Sequence, residues 1–302
     1  MIKILISGAG GDVAKNLVIL LNKNFFTITT SSVLKKYKFS KKNIFTPNIT
    51  SKNYINVLAK IIKKESIDYF FPCIDAEIPL IAKNNKKLKC KVFVEKFKKV
   101  LNCHDKFLTF KYLKKNKINT PYTAILSKYN IDKFSKPFIL KKRVGNASKG
   151  IKIINSEKEK KHIKINKNFI LQEYLSGNDY TSGVYIDKKN KIYQVILKRN
   201  LMNGCTNECW LVNNKNISKQ IIKIAKKLNF KYINIQFKVK NNKVYVYELN
   251  PRISGTTAFQ SHVFNAAENY IRENEKKKIL KNKNIKNLYG KRCQKTKIIK
   301  KK

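Results

Sequence analysis

An unbroken apolar run over residues 2–6 stops at Ser7-Gly8-Ala9-Gly10-Gly11-Asp12, and apolar residues then recur at helical spacing over 13–21. A short buried strand, a tight glycine turn and an amphipathic helix, in that order, open a parallel α/β sheet. The rhythm continues with a helical pattern over 54–64, a strand over 69–72, a helix over 78–85 and a strand over 91–94. This first stretch therefore reads as a small doubly wound domain. From residue 105 the pattern changes. A helix over 105–116 is stopped at Thr120-Pro121. Apolar runs at 138–141 and 151–154 flank a Gly/Ser/Lys loop and read as a hairpin. A strand follows at 169–174. Residues 180–187 and 191–197 form an antiparallel pair turning at Lys188-Lys189-Asn190, and 218–228 is an amphipathic helix. The last hairpin joins 233–239 to 244–249 through Asn241-Asn242. Beyond Arg272 a run of Lys and Asn reads as a solvated tail with at most one short helix.

A chain of 302 residues suits two or three lobes with their own cores, and 42% hydrophobic content marks it as globular. The apolar run at 17–21 is far too short to span a bilayer. Met1 runs straight into a strand-like segment with no cleavage site behind it, so the expected location is cytoplasmic. The net charge of +49 changes the picture less than its size suggests. Only five of the 67 Lys and Arg residues are Arg, at 143, 199, 252, 272 and 292. Base recognition favours the planar fork of Arg. Here Lys is spread along the whole chain among abundant Asn, Ile and Tyr, as AT-rich codons would produce, and a nucleic-acid partner is not expected. The charge still favours anionic ligands. The six cysteines (73, 90, 103, 205, 209 and 293) are expected as free thiols. Cys205 and Cys209 have no second Cys/His pair at zinc-like spacing, and His104, His162 and His262 are scattered.

The candidate chemistry lies in three segments. In the last hairpin, Glu248 and Asn250 are two apart on one strand and share a face, and Gln236 lies on the neighbouring strand. Three oxygen donors on one surface suit Mg²⁺, which prefers hard ligands shared with nucleotide phosphates. Arg252, just past Pro251, adds a permanent cation with a planar donor fork, and Ser254-Gly255-Thr256-Thr257 follows as a second polar turn. The second segment delivers Lys141 on a strand into a flexible loop holding Gly145, Ser148 and Gly150, a type of loop that closes over phosphates. In the third, a strand through Gln172 and Glu173 runs into an irregular turn at Tyr174 and Leu175. There backbone groups can meet an adenine edge, and Asp179 is placed for ribose hydroxyls.

In this order and spacing the three segments resemble the ATP-grasp superfamily, and most of all its branch of carboxylate–amine ligases like the carbamoyl-phosphate synthase large chain. The resemblance covers about residues 1–270. It implies an α/β fold with a Rossmann-like pre-ATP-grasp domain (1–98), followed by an α+β ATP-grasp module. That module comprises a small lid lobe (99–172), a larger metal-bearing lobe (173–272) and then the Lys/Asn-rich tail (273–302). It further implies that Gln236, Glu248 and Asn250 hold two Mg²⁺ (or Mn²⁺) ions and that Arg252 touches the transferred phosphoryl and acyl groups. Lys106 and Lys141 would bind ATP phosphates, and Gly145, Ser148 and Gly150 would form the phosphate-covering loop. Glu173, Tyr174 and Leu175 would meet the adenine, with Asp179 at the ribose. Where the family usually has Lys-Pro, this chain has Lys141-Lys142. The implied reaction is carboxylate activation by Mg-ATP through an acyl phosphate, followed by attack of an amine or ammonia. A small-molecule acid and amine would be the partners, and a homodimer is possible.

Several residues stay open between roles. The glycine turn at 8–11 lacks both the third glycine of a dinucleotide fingerprint and the acidic residue about 20 positions on, so it points to a turn or an anion more than to NAD(P). Asp75 and Glu77 follow a parallel strand, where open α/β sheets bind ligands, and are candidates for an amine or ordinary loop carboxylates. Lys198 and Arg199 are candidates for a substrate carboxylate or the γ-phosphate, with Arg199 preferred. Two other readings compete with the ligase. One is a basic polyanion-binding protein carrying an inactive nucleotide site, and the other is an oxidoreductase built on the first lobe.

Overall fold

The structure is a computed structural model and describes residues 1–33, 37–145, 150–202 and 204–292. The first lobe comprises β1 (Lys3–Ile6), α1 (Asp12–Leu21), β2 (Phe26–Ser31), β3 (Lys42–Phe45), α2 (Tyr54–Glu65), β4 (Tyr69–Phe71), α3 (Glu77–Asn84) and β5 (Lys91–Val92). Its strands pair in parallel in the order β3-β2-β1-β4-β5. Alternation along β1 decides what each face meets. Leu5 packs with Tyr54, Leu58 and Ile62 of α2, whereas Ile4 and Ile6 pack with Leu17 and Val18 of α1. At the end of β1, Gly8 takes φ +71°, and a Cβ there would lie 2.8 Å from Ile74. Any other residue would strain the turn and push away the loop after β4.

Helices α4 (Phe97–His104) and α5 (Lys106–Lys115) lead into a four-stranded lid. The lid holds β6 (Thr123–Ile125), α6 (Lys128–Lys133), β7 (Phe138–Lys142), β8 (Lys152–Ile154), α7 (Glu157–Lys161) and β9 (Phe169–Glu173). Its sheet is antiparallel, ordered β6-β9-β7-β8, and closes on Leu126, Ile131, Phe134, Phe138 and Leu171.

The last lobe contains β10 (Asp179–Ile186), β11 (Ile192–Met202), β12 (Cys205–Leu211), α8 (Lys215–Leu228), β13 (Tyr232–Lys240), β14 (Lys243–Asn250), α9 (Thr257–Gln260), α10 (Ala266–Asn274) and β15 (Tyr289–Lys291). Its antiparallel sheet runs β14-β13-β10-β11-β12-β15. Helix α8 starts where Asn214 Oδ1 accepts the Ile217 N–H at 3.0 Å and ends at Asn229, φ 51°. Ile217, Ile221, Ile224, Ala225 and Leu228 fall on one stripe, which covers Val184, Ile233, Ile235 and Phe237. The opposite face of the sheet carries the polar residues described below. Helix α10 closes the molecule onto the first lobe, because Tyr270 makes edge contacts with Tyr69, Phe71 and Phe93.

A parallel α/β lobe followed by antiparallel sheets is the expected class. The polar segment past Arg272 departs from expectation. Tyr289–Lys291 adds β15 to the edge of the large sheet beside β12, and the Leu211 N–H donates to the Leu288 carbonyl at 2.8 Å. The row of free N–H and C=O groups along β12 recruits this strand, a demand that side-chain polarity does not reveal. No helix among the described residues is long and apolar enough to cross a membrane.

Candidate active site

A cleft of about 980 Å³ runs between the lid and the open face of the large sheet and continues to the C-terminal ends of β1 and β4. Register on the large sheet assembles its floor. Asp179 of β10 pairs with Arg199 of β11, Thr181 with Gln236 of β13, and Gln236 with Glu248 of β14. Gln236, Glu248 and Asn250 therefore meet. The Gln236 and Asn250 amides both donate to Glu248 Oε1, at 3.2 and 2.8 Å. A Cβ on Gly183 of β10 would lie 2.5 Å from Oε1 of the buried Gln260 side chain of α9, so a larger residue there makes that side chain move.

Tyr247 was not read from the pattern. Simple alternation places it on the face opposite Glu248. The ladder instead steps from Gln236–Glu248 to Phe237–Val246 and leaves Tyr247 as the extra residue of a β-bulge. Tyr247 and Glu248 both line the cleft as a result. The Tyr247 hydroxyl donates to Asp179 Oδ1 at 2.7 Å and accepts from the Arg199 guanidinium at 2.9 Å. Arg199 also donates to Asp179 Oδ1 at 2.8 Å and to Gln236 Oε1 at 2.6 Å. Burial opposes the charge on Arg199, but Tyr247 and Asp179 more than offset this and raise its pKa further. Burial also holds the Tyr247 phenol well above its usual range, so it remains a proton donor to Asp179. A signal that would have exposed this network is the mismatch in β14, where Val244 and Val246 alternate inward but the next buried residue is Leu249.

The roof comes from the lid. Lys141 on β7 is 4% exposed, and its Nζ donates to Gln172 Oε1 at 2.8 Å. Gln172 is anchored in turn by donating to Thr123 Oγ1 at 2.9 Å. Burial pushes the Lys141 ammonium down to about 8, against the pull of Glu248. The ammonium sits 5.7 Å from the Tyr247 ring centroid, so lid and floor face each other across this contact. Lys106, at the start of α5, donates to the Gly145 carbonyl at 2.8 Å. Beside it Arg143, just past β7, donates twice to Asp105 Oδ2, at 2.6 and 3.0 Å, and ties the lid strand to the start of α5. Glu173, Tyr174 and Leu175 line the far wall, and Glu173 Oε2 accepts the Tyr122 N–H at 3.2 Å. Gly145 lines the cleft. Gly150 takes φ +78° where the chain returns and is not on the wall, and Ser148 lies outside the described residues. Lys198 Nζ stands 5.5 Å over the Trp210 ring, leaving Arg199 as the β11 cation in the cleft.

At the first-lobe end, Arg252 Nε donates to Asp75 Oδ1, and its NH1 donates to the Ile253 carbonyl at 2.9 Å. Asp75 lines the cleft, whereas Glu77 is fully buried. Glu77 accepts from Ser7 Oγ at 2.5 Å and from the Tyr54 hydroxyl at 2.6 Å, so it cannot meet an amine in the cleft. Burial pushes its carboxyl up to about 7, against those two hydrogen bonds. A carboxyl raised on folding contributes stability that is fully present below its unfolded value of 4.5 and is lost as pH rises through 7. The loss amounts to about 3 kcal/mol. Denaturant midpoints should therefore fall more steeply between about pH 4.5 and 7 in the wild type than in Glu77→Gln. Parallel profiles would show that the buried carboxyl titrates normally.

The chain matches the ATP-grasp domain family over residues 103–256, half of its length, and the PylC-like N-terminal domain over residues 18–94. It is 31% identical over 249 residues to "Uncharacterized protein MG011" of Mycoplasma genitalium, covering 78% of this chain and 83% of that protein. It is also 31% identical over 173 residues to the D-alanine–D-alanine ligase of Petrotoga mobilis, covering 49% of this chain and 56% of that enzyme. Among solved structures, an ADP complex of N5-carboxyaminoimidazole ribonucleotide synthetase superimposes with a TM-score of 0.78 at 14% identity, covering 95% of this chain and 80% of that one. The L-amino acid ligase of Bacillus licheniformis gives 0.70 at 13%, covering 86% and 69%. At such identities the structural likeness speaks for the fold alone. The family is carried by the sequence match across lid and floor: the chain belongs to the ATP-grasp domain family.

Proposed function

We propose that the protein is an ATP-dependent ligase that phosphorylates a carboxylate and passes the acyl group to an amine or ammonia. The observation that carries this reading is the juxtaposition of Glu248, Gln236 and Asn250 with two buried cations, Lys141 and Arg199, and the half-buried Arg252 in one cleft. The donor set fits a hard dication. One carboxylate and two amides meet at a single point, and rotation of each amide presents its oxygen in place of its NH₂. Bound Mg²⁺ would neutralise β- and γ-phosphate charge there.

The chain's own residues supply the rest. Lys141 and Lys106 meet phosphate oxygens from the lid side, with Gly145 beside them. Asp179 accepts ribose hydroxyls, and the Glu173–Leu175 turn meets the adenine edge. Arg199 gives up Gln236 Oε1 when that amide turns toward the metal, and places its guanidinium beside the phosphates. Arg252, at the other end of the floor, meets the carboxylate as it attacks and the acyl phosphate once formed. Phosphoryl transfer of this kind depends on positioning and charge more than on covalent chemistry by the enzyme. The lid excludes water from the intermediate. Placement of acids argues against a polyanion-binding role. Of only 18 acidic residues in the chain, Asp12, Asp75, Glu173, Asp179 and Glu248 line this cleft, where a groove that tracks phosphates would shed them.

The reading is tested by ADP release with Mg-ATP across a panel of carboxylic acids, with hydroxylamine as the amine. One acid, or one close group of acids, should be required for turnover, and its hydroxamate should accumulate with ADP. ADP release that ignores every acid, or that never yields a hydroxamate, would rule out the acyl-phosphate route.

A further inference from the structure

Arg252 comes from the last lobe, yet the group that orients it comes from the first. Asp75 sits in the turn between β4 and α3 and accepts the Arg252 Nε–H through Oδ1. That turn is tied down at several points. The Cys73 N–H donates to Ser7 Oγ at 2.9 Å, and Ser7 Oγ donates to Glu77 Oε2 at 2.5 Å. The other Glu77 oxygen accepts from Tyr54 of α2 at 2.6 Å, and the Glu77 N–H closes the turn onto the Ile74 carbonyl at 3.0 Å. Ile74 itself lies on Gly8. A continuous set of contacts thus runs from β1 and α2, through Glu77, to Asp75 and the guanidinium of Arg252.

Glu77 is an unusual choice for a purely structural part. It is 0% exposed and meets no cation among the described residues, in a chain with 67 Lys and Arg. Burying an unpaired carboxylate is costly. What the carboxylate provides is two acceptor oxygens at a fixed angle, each taking one short hydroxyl donor from a different element. A glutamine offers one acceptor only, and one of the two hydroxyls must then turn round. We infer that Glu77 is a positioning residue: it clamps the 73–77 turn so that Asp75 presents Arg252 in a single orientation to the reacting end of the cleft. The first lobe therefore sets the geometry of the catalytic floor as well as enclosing it. The groups facing Glu77 are Ser7 just past β1, Tyr54 of α2 and Cys73 of the turn. Asp75 and Arg252 lie close enough to bear on Cys73 as well. Burial raises the Glu77 carboxyl to about 7, so the clamp also changes charge near neutrality.

The inference rests on the ligase reading for its kinetic test but has a readout that needs no turnover. With five arginines in the chain, arginine-selective ¹⁵N labelling gives five Nε–H signals, and loss of one in Arg252→Lys assigns Arg252. Glu77→Gln and Asp75→Ala are both expected to shift the Arg252 signal and leave the other four in place. In the double variant the Arg252 signal should match that of Asp75→Ala alone. Turnover, once a substrate acid is found, should follow the same order. Glu77→Gln is expected to lower kcat on the order of 10-fold with KM for ATP unchanged, and the double variant should be no worse than Asp75→Ala. An Arg252 signal in folded Glu77→Gln identical to the wild type would overturn the inference, as would losses that multiply in the double variant. If Glu77→Gln does not fold, Tyr54→Phe, which removes one donor and keeps the carboxylate, must shift the Arg252 signal by itself. An unshifted signal there also overturns the proposal. A wild type that turns over no acid yet passes the signal test leaves the clamp standing and removes the ligase reading.

Discussion

Glu248→Ala should lower Mg-ATP turnover by roughly 10³-fold or more while leaving the protein folded. Glu248 is the one carboxylate among the three donors on the floor, and both amides converge on its Oε1. A hard dication held by two neutral amides alone would lose most of its electrostatic attraction, and with it the neutralisation of phosphate charge. The loss reaches the lid as well. Glu248 supports the Lys141 ammonium against burial, so its removal pushes a group already near 8 further down. Packing should change little, because the cleft side of β14 is only half-buried and Val244, Val246 and Leu249 hold the strand to the core. Glu248→Gln separates charge from shape, since an amide keeps a partner for Gln236 and Asn250 but not the anion. It should be nearly as inactive as the alanine variant. The measurement is ADP release at saturating ATP against a Mg²⁺ titration, beside a thermal melt of each variant. Wild-type turnover in Glu248→Ala would remove Glu248 from the metal site and take the proposed mechanism with it.

Most of the frame was legible because it rests on periodicity. The apolar run before Gly8, buried on both faces of its sheet, the one-sided stripe of α8 and the two-residue spacing of Glu248 and Asn250 are all local signals. The hairpin turn at Asn241-Asn242 made Gln236 legible as a residue of the neighbouring strand, but that turn alone would pair it with Tyr247, and it is the bulge that brings Glu248 opposite Gln236. Where local rules break, the reading stopped. The bulge at Tyr247 adds one residue without any turn signal, and alternation then assigns the side chain to the wrong face. The partner of Arg252 lies 177 positions away at Asp75, and the donors to Glu77 come from the turn after β1 and from α2. Those contacts follow from the packing of one lobe on another and leave no pattern along the chain. Strand β15 is the opposite case. Its sequence looks solvated, and an unpaired edge elsewhere in the fold calls it into the sheet. The acid at 77 was legible as a residue of interest but not as a buried one, because a loop carboxylate and a clamp have the same local sequence.

Arg252→Ala is expected to lower kcat by roughly 10²- to 10³-fold while the KM for ATP changes little, the reverse of what a phosphate-binding lysine would show. The argument is positional. Lys141 and Lys106 approach from the lid, whereas Arg252 stands past the end of β14, beside Asp75 and the first lobe, where the proposed acyl acceptor of phosphate must lie. Its charge there serves the group being transferred more than the bound nucleotide, so its contribution is largest in the transition state. Burial disfavours the guanidinium, but Asp75 beside it more than offsets this and keeps it charged at any working pH. Arg252→Lys tests whether charge alone suffices. A lysine retains the cation but loses the planar fork that spends Nε on Asp75 and NH1 on the Ile253 carbonyl while leaving an edge for the substrate. It should recover only a small part of the loss. Single-turnover hydroxamate formation at saturating ATP isolates the step, since nucleotide binding is then complete before chemistry begins. If Arg252→Ala instead raises the KM for ATP and leaves hydroxamate formation at its normal rate, Arg252 belongs to the nucleotide. The carboxylate must then be sought at the other cation on the floor, Arg199.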